Sequence, residues 1–245
     1  MTPQDAILEL KRRNEKYAQR HGINDYVLTS ESIINAFIAC IQEETAPANS
    51  DEGKTPFPFA ETFFSCYHAP IGNIIPAVEY DIPLLHSLIV SEAYREVTAK
   101  LRKITDKENA RKFKAANFDY VTFSGTFSKR DAKCLLKHSG LIVIDFDHIG
   151  DFAAINSLKA RLLKDKYFDT LLMFRSPSGD GLKWVINIDI TRYSHRAWFE
   201  GIYYYILNTY GLTIDNSGSD IARACFICHD PQAYINPNFY KLKHV

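Results

Sequence analysis

The chain predicts an α+β fold built on a β-α-β-β-α-β core of ferredoxin type, with helices added at its N-terminus. Three features of the sequence carry this expectation. Apolar runs of strand length recur at Gly140–Asp147 (GLIVIDFD), Thr170–Phe174, Leu182–Ile190 and Ile221–Cys228. Residues 151–166 and 194–210 between them repeat apolar side chains at helical spacing. A glycine-bearing SPSGDG turn (Ser176–Gly181) joins the second run to the third, as a hairpin requires.

Taken in order, residues 3–20 place Ile7, Leu10 and Tyr17 on one helical face. Ser30 or Ser32 can cap a second helix, whose buried stripe would be Ile34, Phe37, Ile38 and Ile41. The stretch 45–58 (TAPANSDEGKTPFP) is rich in Pro, Asn, Ser, Asp and Gly and predicts a long loop. It separates an N-terminal helical segment (1–50) from an α+β domain (58–245), with the ferredoxin-like core at about 119–230. A mostly helical stretch over 82–115 precedes a strand at 120–124. In the core, residues 151–166 repeat Phe152, Ile155, Leu158 and Leu162, and Gly211 stops the tyrosine-rich helix 194–210.

Composition narrows the function classes. The 245 residues carry 29 Lys and Arg against 29 Asp and Glu, so a uniformly basic coat for nucleic acid is excluded. Within 95–137, however, twelve Lys/Arg face five Asp/Glu, which leaves open either a solvated helix face or a phosphate-contacting surface. No apolar run approaches membrane-spanning length, and residues 1–20 are charged, so neither a membrane span nor a signal peptide is expected. Five cysteines, an odd number, fit a reduced cytoplasmic protein better than a disulfide scaffold. Cys225 to His229 spells CxxCH, but thiols three apart on a strand face opposite ways, so buried cysteines are expected rather than a haem or zinc site. No GxxxxGK[ST] loop is present.

The polar residues converge. With the usual strand order 4-1-3-2, the end of the first strand, the 176–181 turn and the start of the fourth strand meet at one sheet edge. Alternation sends Ile142, Ile144 and Phe146 under the helices and leaves Val143, Asp145 and Asp147 on an open face, beside Lys183, Val185 and Asn187. Two carboxylates two residues apart repel unless a cation lies between them, and hard oxygen donors predict Mg²⁺ or Mn²⁺. A solvated strand end is the plain alternative. Asp215 is the expected third ligand, with Asp220 in reserve; Asp215 could equally be only the cap of its Ser/Gly turn. Ser176, Ser178, Gly179, Gly181, Lys183 and Arg223 are expected to hold phosphate, although the loop could be only a tight hairpin. An hhhDxD strand also opens haloacid-dehalogenase phosphatases, in which the first Asp is a nucleophile. Here His148 and Ile149 follow the second Asp, and the downstream motifs of that class are not found.

Four ordered stretches, VTFSGTF (121–127), SGLIVIDFDH (139–148), SPSGDGLK (176–183) and IDNSGSDIARACFICHDPQAYINP (214–237), together resemble the primase-like N-terminal domain of VirE-type proteins. Those proteins occur in Bacteroides-group mobile elements and prophages, often ahead of a helicase-like region. The likeness covers residues 60–240. That domain is in turn similar to the archaeo-eukaryotic primase and primase-polymerase superfamily. The resemblance implies a DNA-replication nucleotidyltransferase with Asp145, Asp147 and Asp215 as catalytic metal ligands. NTP or dNTP, and single-stranded DNA or a primer-template, would be its partners. Lys183 stands where the superfamily carries histidine, so a catalytically inactive nucleic-acid-binding module is the alternative the resemblance leaves.

Overall fold

The computed structural model describes residues 62–241. The helices expected before residue 50 and the loop 45–58 lie outside them. The described residues fall into two compact units, 62–190 with 215–241, and Thr191–Ile214. Among the described residues the mixed α+β class is observed, with all strand pairs antiparallel.

In the larger unit, strands β1 (Phe64–Tyr67), β2 (Val78–Tyr80) and β3 (Tyr120–Thr122) lead one sheet. Three helices lie between β2 and β3 in the chain, as the 82–115 pattern predicts. They are α1 (Ile82–Val90), α2 (Arg95–Arg102) and α3 (Lys107–Asn117). Asp81 and Asp106 cap α1 and α3 by accepting hydrogen bonds from the amides of Leu84 and Asn109, both at 2.8 Å. Strands β4 (Gly125–Phe127) and β5 (Leu135–His138) form a separate ribbon. The ferredoxin-like stretch then supplies β6 (Leu141–Phe146), α4 (Phe152–Leu162), β7 (Thr170–Arg175) and β8 (Leu182–Asn187). Beyond Asp215 come β9 (Cys225–Phe226), β10 (Tyr234–Ile235) and the short helix α6 (Asn238–Lys241). The smaller unit contributes α5 (His195–Tyr210), capped by Ser194 and ended by Gly211 at φ 68°, where a residue without Cβ is favoured.

The second sheet has the order β10-β7-β8-β6. Its β6-β8-β7 portion is the 1-3-2 order expected of the core. The fourth strand departs from expectation. Only Cys225–Phe226 of the 221–228 run is extended, and it pairs with β3 in the first sheet, giving β2-β1-β3-β9. What remains beside β6 is a single bond, from the amide of Asp215 to the carbonyl of Asp145 at 3.1 Å. The reason is in the neighbours: Cys225 and Ile227 are buried with Phe64, Val121 and Phe123, so the fourth segment serves the core of the first sheet.

The face expected to be open is roofed. The register sets Val143 opposite Val185 and Asp145 opposite Lys183, with Leu172 and Phe174 continuing the two rows on β7. Val143, Val185, Leu172 and Phe174 belong to one apolar cluster with Phe64, Cys66, Val121 and Phe123 of the first sheet and its following turn, and with Ile82, Leu85 and Ile89 of α1. Each such large side chain removed from water contributes about 1.5–3 kcal/mol. The two sheets of this unit therefore close on each other, and the polar end of the Asp145–Lys183 row lies at the rim of that closure.

The hairpin joining β7 to β8 fixes the rim. A Cβ built on Gly181 would overlap the backbone carbonyl of Phe146, so only glycine lets the turn approach the end of β6. Gly181→Ala is expected to lower stability by about 1–3 kcal/mol, seen as an earlier thermal unfolding midpoint without loss of secondary structure at low temperature.

Candidate functional site

Beyond Phe146 the chain leaves β6 sharply: His148 adopts φ +54°, uncommon for a non-glycine residue, and bonds Asp180 of the hairpin at 2.8 Å. Ile149 donates its amide to the Asp180 carbonyl at 2.8 Å. The end of β6 and the 176–181 turn are thereby tied together, as the sequence predicts. The Asp215 amide bond to Asp145 brings in the third segment. The result is an acidic cluster: one carboxylate oxygen from each of Asp145, Asp147 and Asp215 lies within 4.8 Å of the others.

The three acids are held differently. Asp145 is half-buried and its Oδ2 accepts a hydrogen bond from the Nζ of Lys183, whose side chain is only 9% exposed. Its Oδ1 is buried and has no hydrogen-bond partner. A charged oxygen stripped of water without replacement costs about 1–3 kcal/mol or more. Asp147 is the most exposed of the three; burial and the neighbouring Asp145 charge push its carboxyl above the ordinary aspartate value. Asp215 caps the short helical turn Asn216–Ser219, accepting from the Ser217 amide at 3.0 Å and from the Ser217 hydroxyl. Arg223 donates to its Oδ2 at 2.8 Å. Burial raises the Asp215 carboxyl, but these hydrogen bonds and the charges of Arg223 and Lys183 more than offset it, leaving it below its ordinary value. Asp215 thus caps its turn and also lies in the three-carboxylate cluster. Asp220 accepts from the Ala222 amide at 2.9 Å and lines the same cleft, but is not part of the three-carboxylate group.

Burial alone would lower the Lys183 ammonium, but Asp145 at its side outweighs this and holds it above the usual lysine range. The lysine is charged, and it occupies one side of Asp145 while leaving the other free.

The donor set suits a hard cation. Around octahedral Mg²⁺, with bonds of about 2.1 Å, adjacent oxygens stand about 3.0 Å apart and opposite ones about 4.2 Å, so the three carboxylates would draw together by up to about 2 Å on taking one ion, or reach it partly through water. Asp145 Oδ1, buried and without a hydrogen-bond partner, belongs to one of these three carboxylates.

A cleft of about 220 Å³ opens beside the cluster. Asp145, Asp147, Lys183 and Arg223 line it, as do Ser176 and Ser178 from the hairpin. The hairpin itself is largely self-satisfied: Gly179 donates to the Ser176 carbonyl at 2.9 Å and Gly181 to the Ser176 hydroxyl at 3.1 Å. Arg102 grips the Ser176 and Pro177 carbonyls at 3.2 and 3.1 Å, and Arg175 grips that of Gly179. The two glycines therefore shape the turn, and the cleft receives its serines and Lys183.

Two charged lining residues were not singled out in the sequence, Lys114 of α3 and Arg130 after β4. Both belong to the basic 95–137 segment, and aromatic rings support both: Lys114 lies over Phe226 at 5.5 Å and Arg130 over Tyr120 at 5.0 Å. The only signal for them was the local excess of positive charge. The CxxCH cysteines are both buried free thiols, Cys225 pushed up to about 11 and Cys228 to about 12 by burial.

A family model described as BT4734-like, N-terminal domain, matches residues 112–235, and the chain belongs to that family. The match begins just before Lys114 and contains the whole cluster and cleft except Ile71. Comparison with the curated proteins gave no match, nor did comparison with the solved structures.

The raised Asp147 carboxyl gives a sign that can be checked. A carboxyl more readily protonated in the folded than in the unfolded chain makes the folded state bind more protons just above the ordinary value. Stability from this group therefore falls as pH rises. In chelator-containing buffer at neutral pH, Asp147→Asn should melt about 1–2 °C above wild type. The gap should close as pH falls toward 4, where the wild-type side chain takes up its proton. A wild type more stable than the variant across this range would contradict the electrostatic picture.

Proposed function

We propose that this BT4734-like domain is a metal-dependent nucleotidyltransferase of primase-polymerase type, acting in the DNA replication of a mobile element. The observation that carries the proposal is the acidic cluster, with its orphaned Asp145 oxygen, at the mouth of a cleft lined by cations. The four sequence stretches that resemble VirE-type primase-like domains include Asp145, Asp147, Asp215, the hairpin and Arg223, which supports the same reading.

Asp145, Asp147 and Asp215 would hold Mg²⁺ or Mn²⁺. Bound there, such ions supply Lewis-acid activation of an attacking hydroxyl and neutralise a departing pyrophosphate. The chain's own part is positioning. Lys183 fixes the Asp145 carboxylate through the cross-strand pair, and Arg223 with Ser217 fixes Asp215. Because Lys183 is committed to Asp145, its role differs from that of a histidine aimed at a triphosphate. It sets the orientation of a ligand carboxylate and offsets its charge. Ser176 and Ser178, at the cleft wall, offer hydroxyls to a phosphate. NTP or dNTP would be the donor and single-stranded DNA or a primer-template the acceptor, with a helicase region or protein as a partner.

Incubated with a single-stranded template, labelled nucleotide and Mg²⁺ or Mn²⁺, the protein should incorporate label. Asp145→Asn should reduce the rate by at least about 100-fold. No incorporation with any metal, nucleotide or template would overturn the proposal. A second reading, strand or nucleotide binding without catalysis, draws on the Asp145–Lys183 pair, which already neutralises one ligand carboxylate. It expects salt-dependent binding of single strands that ignores Mg²⁺ and survives Asp145→Asn.

A further inference from the structure

Four cations line the cleft, and they fall into two kinds. Lys183 and Arg223 are paired with Asp145 and Asp215. Lys114 and Arg130 have no carboxylate partner among the described residues. Lys114 is half-buried, and both its burial and the charge of Lys183 lower its ammonium from the ordinary lysine value. Arg130 donates one bond, from Nη2 to the Ile71 carbonyl at 3.2 Å, while its buried Nε has no partner. Lys114 is held against desolvation beside Lys183 and Arg223, with Asp145 and Asp147 only partly offsetting them, and Arg130 keeps a buried Nε without a partner, so both gain when an anion arrives.

Their placement is built by the sheet that roofs the acidic cluster. Tyr120 and Phe226 are register partners across β3 and β9, with rings 6.1 Å apart, and each carries one of the two cations on its face. The departure of the fourth strand from the expected sheet is thus what creates this platform. Lys114, Tyr120 and Arg130 all lie outside the four sequence stretches that carry the resemblance.

We infer that Lys114 and Arg130 form an anion subsite for the phosphates of a phosphoanhydride ligand that lie beyond the acidic cluster. The inference rests on the nucleotide-handling reading above and adds the residues that select a polyphosphate tail. A cleft of about 220 Å³ is smaller than the roughly 300–1,000 Å³ that encloses a whole drug-sized ligand, so it suits the charged part of such a molecule. The geometry favours a polyphosphate over a strand's phosphodiester because the two cations share one cleft with the carboxylates. A divalent ion and several linked charges would bridge the two poles.

The test is calorimetric titration of the full chain with inorganic tripolyphosphate in the presence of Mn²⁺, alongside a nucleoside triphosphate, the matching nucleoside and a single-stranded oligonucleotide. Lys114→Gln and Arg130→Gln should each weaken tripolyphosphate and nucleoside triphosphate by about tenfold or more, the loss of one charge-assisted bond. Nucleoside binding should be unaffected. Arg130 also supports Tyr120, so thermal melts accompany both variants, and Lys114→Gln decides the matter if Arg130→Gln unfolds. Tripolyphosphate affinity within twofold of wild type in folded variants overturns the subsite. So does selective loss of oligonucleotide binding, which would assign these cations to a strand backbone, and so does failure of the wild type to bind tripolyphosphate. The two proposals separate cleanly. Template-dependent incorporation by wild type with unchanged affinities in the variants removes only the subsite. Absent incorporation with a tenfold loss of tripolyphosphate binding removes only the transferase.

Discussion

The ion pair between Asp145 and Lys183 is the constraint around which the candidate site is arranged. It arises from register: β6 and β8 run antiparallel with residue 145 opposite residue 183, and period-two alternation turns both side chains toward the same side. On an exposed sheet such a pair would contribute little. Here the first sheet closes over that face, so Lys183 is nearly enclosed and the pair must satisfy itself. Removing either partner would strand a buried charge, which is far more costly than the pair's net contribution. The arrangement also divides the Asp145 carboxylate, with one oxygen committed to lysine and the other without a partner. The neighbouring hydrogen bonds of the site, from Asp215 to the Asp145 carbonyl and from Ile149 and His148 to the hairpin, fix backbone segments around that half-satisfied group.

Much of this was written in local sequence pattern. The alternation placed Val143 and Asp145 on the same face as Val185 and Lys183, because a strand has a fixed period that needs no tertiary knowledge, though it took that face as open. The SPSGDG hairpin between β7 and β8 is equally local. The meeting of Asp145, Asp147, Asp215, Lys183 and Arg223 was expected from an assumed strand order, and it is kept although the fourth strand pairs elsewhere, because the Asp215 amide still bonds the Asp145 carbonyl. What local pattern could not carry was the partner of the fourth strand. A two-residue pairing such as Cys225–Phe226 with Tyr120–Val121 is decided by which apolar surface buries Ile227 and Cys228, a property of segments a hundred residues away. The roof over the supposedly open face was hidden as well, since β1 and β2 are only four and three residues long and only β3 was expected as a strand.

Lys114 and Arg130 show a different kind of illegibility. Helix α3 carries Lys107, Arg111 and Lys112 as exposed residues and Lys114 as a half-buried one, within a single basic run. Composition sees them all alike. The distinction comes from β9 crossing to β3, which sets Phe226 beneath Lys114 and beside Tyr120. The charge excess over 95–137 did not by itself single out the two cations that the fold turns into the cleft.

The charge balance of the cleft follows from these placements and bears on what can enter it. Four carboxylates, at 145, 147, 215 and 220, stand against four cations, at 114, 130, 183 and 223. A lone divalent ion gains from the acids but meets Lys183 and Lys114 close by, and a lone polyanion gains from the cations but meets the aspartates. Neither field is large in sum, yet the two signs are separated, acids around the end of β6 and unpaired cations on the Tyr120–Phe226 platform. A neutral but polarised cleft discriminates by charge distribution rather than by net charge. The ligand that gains at both ends is one carrying its own cation and anion in fixed relation, as a divalent ion does when bound to linked phosphates. Mg²⁺ favours that situation, since it is usually held by one or two carboxylates together with substrate phosphates and keeps part of its water. The half-satisfied Asp145 and the unpaired Lys114 and Arg130 are then the two ends of one electrostatic demand.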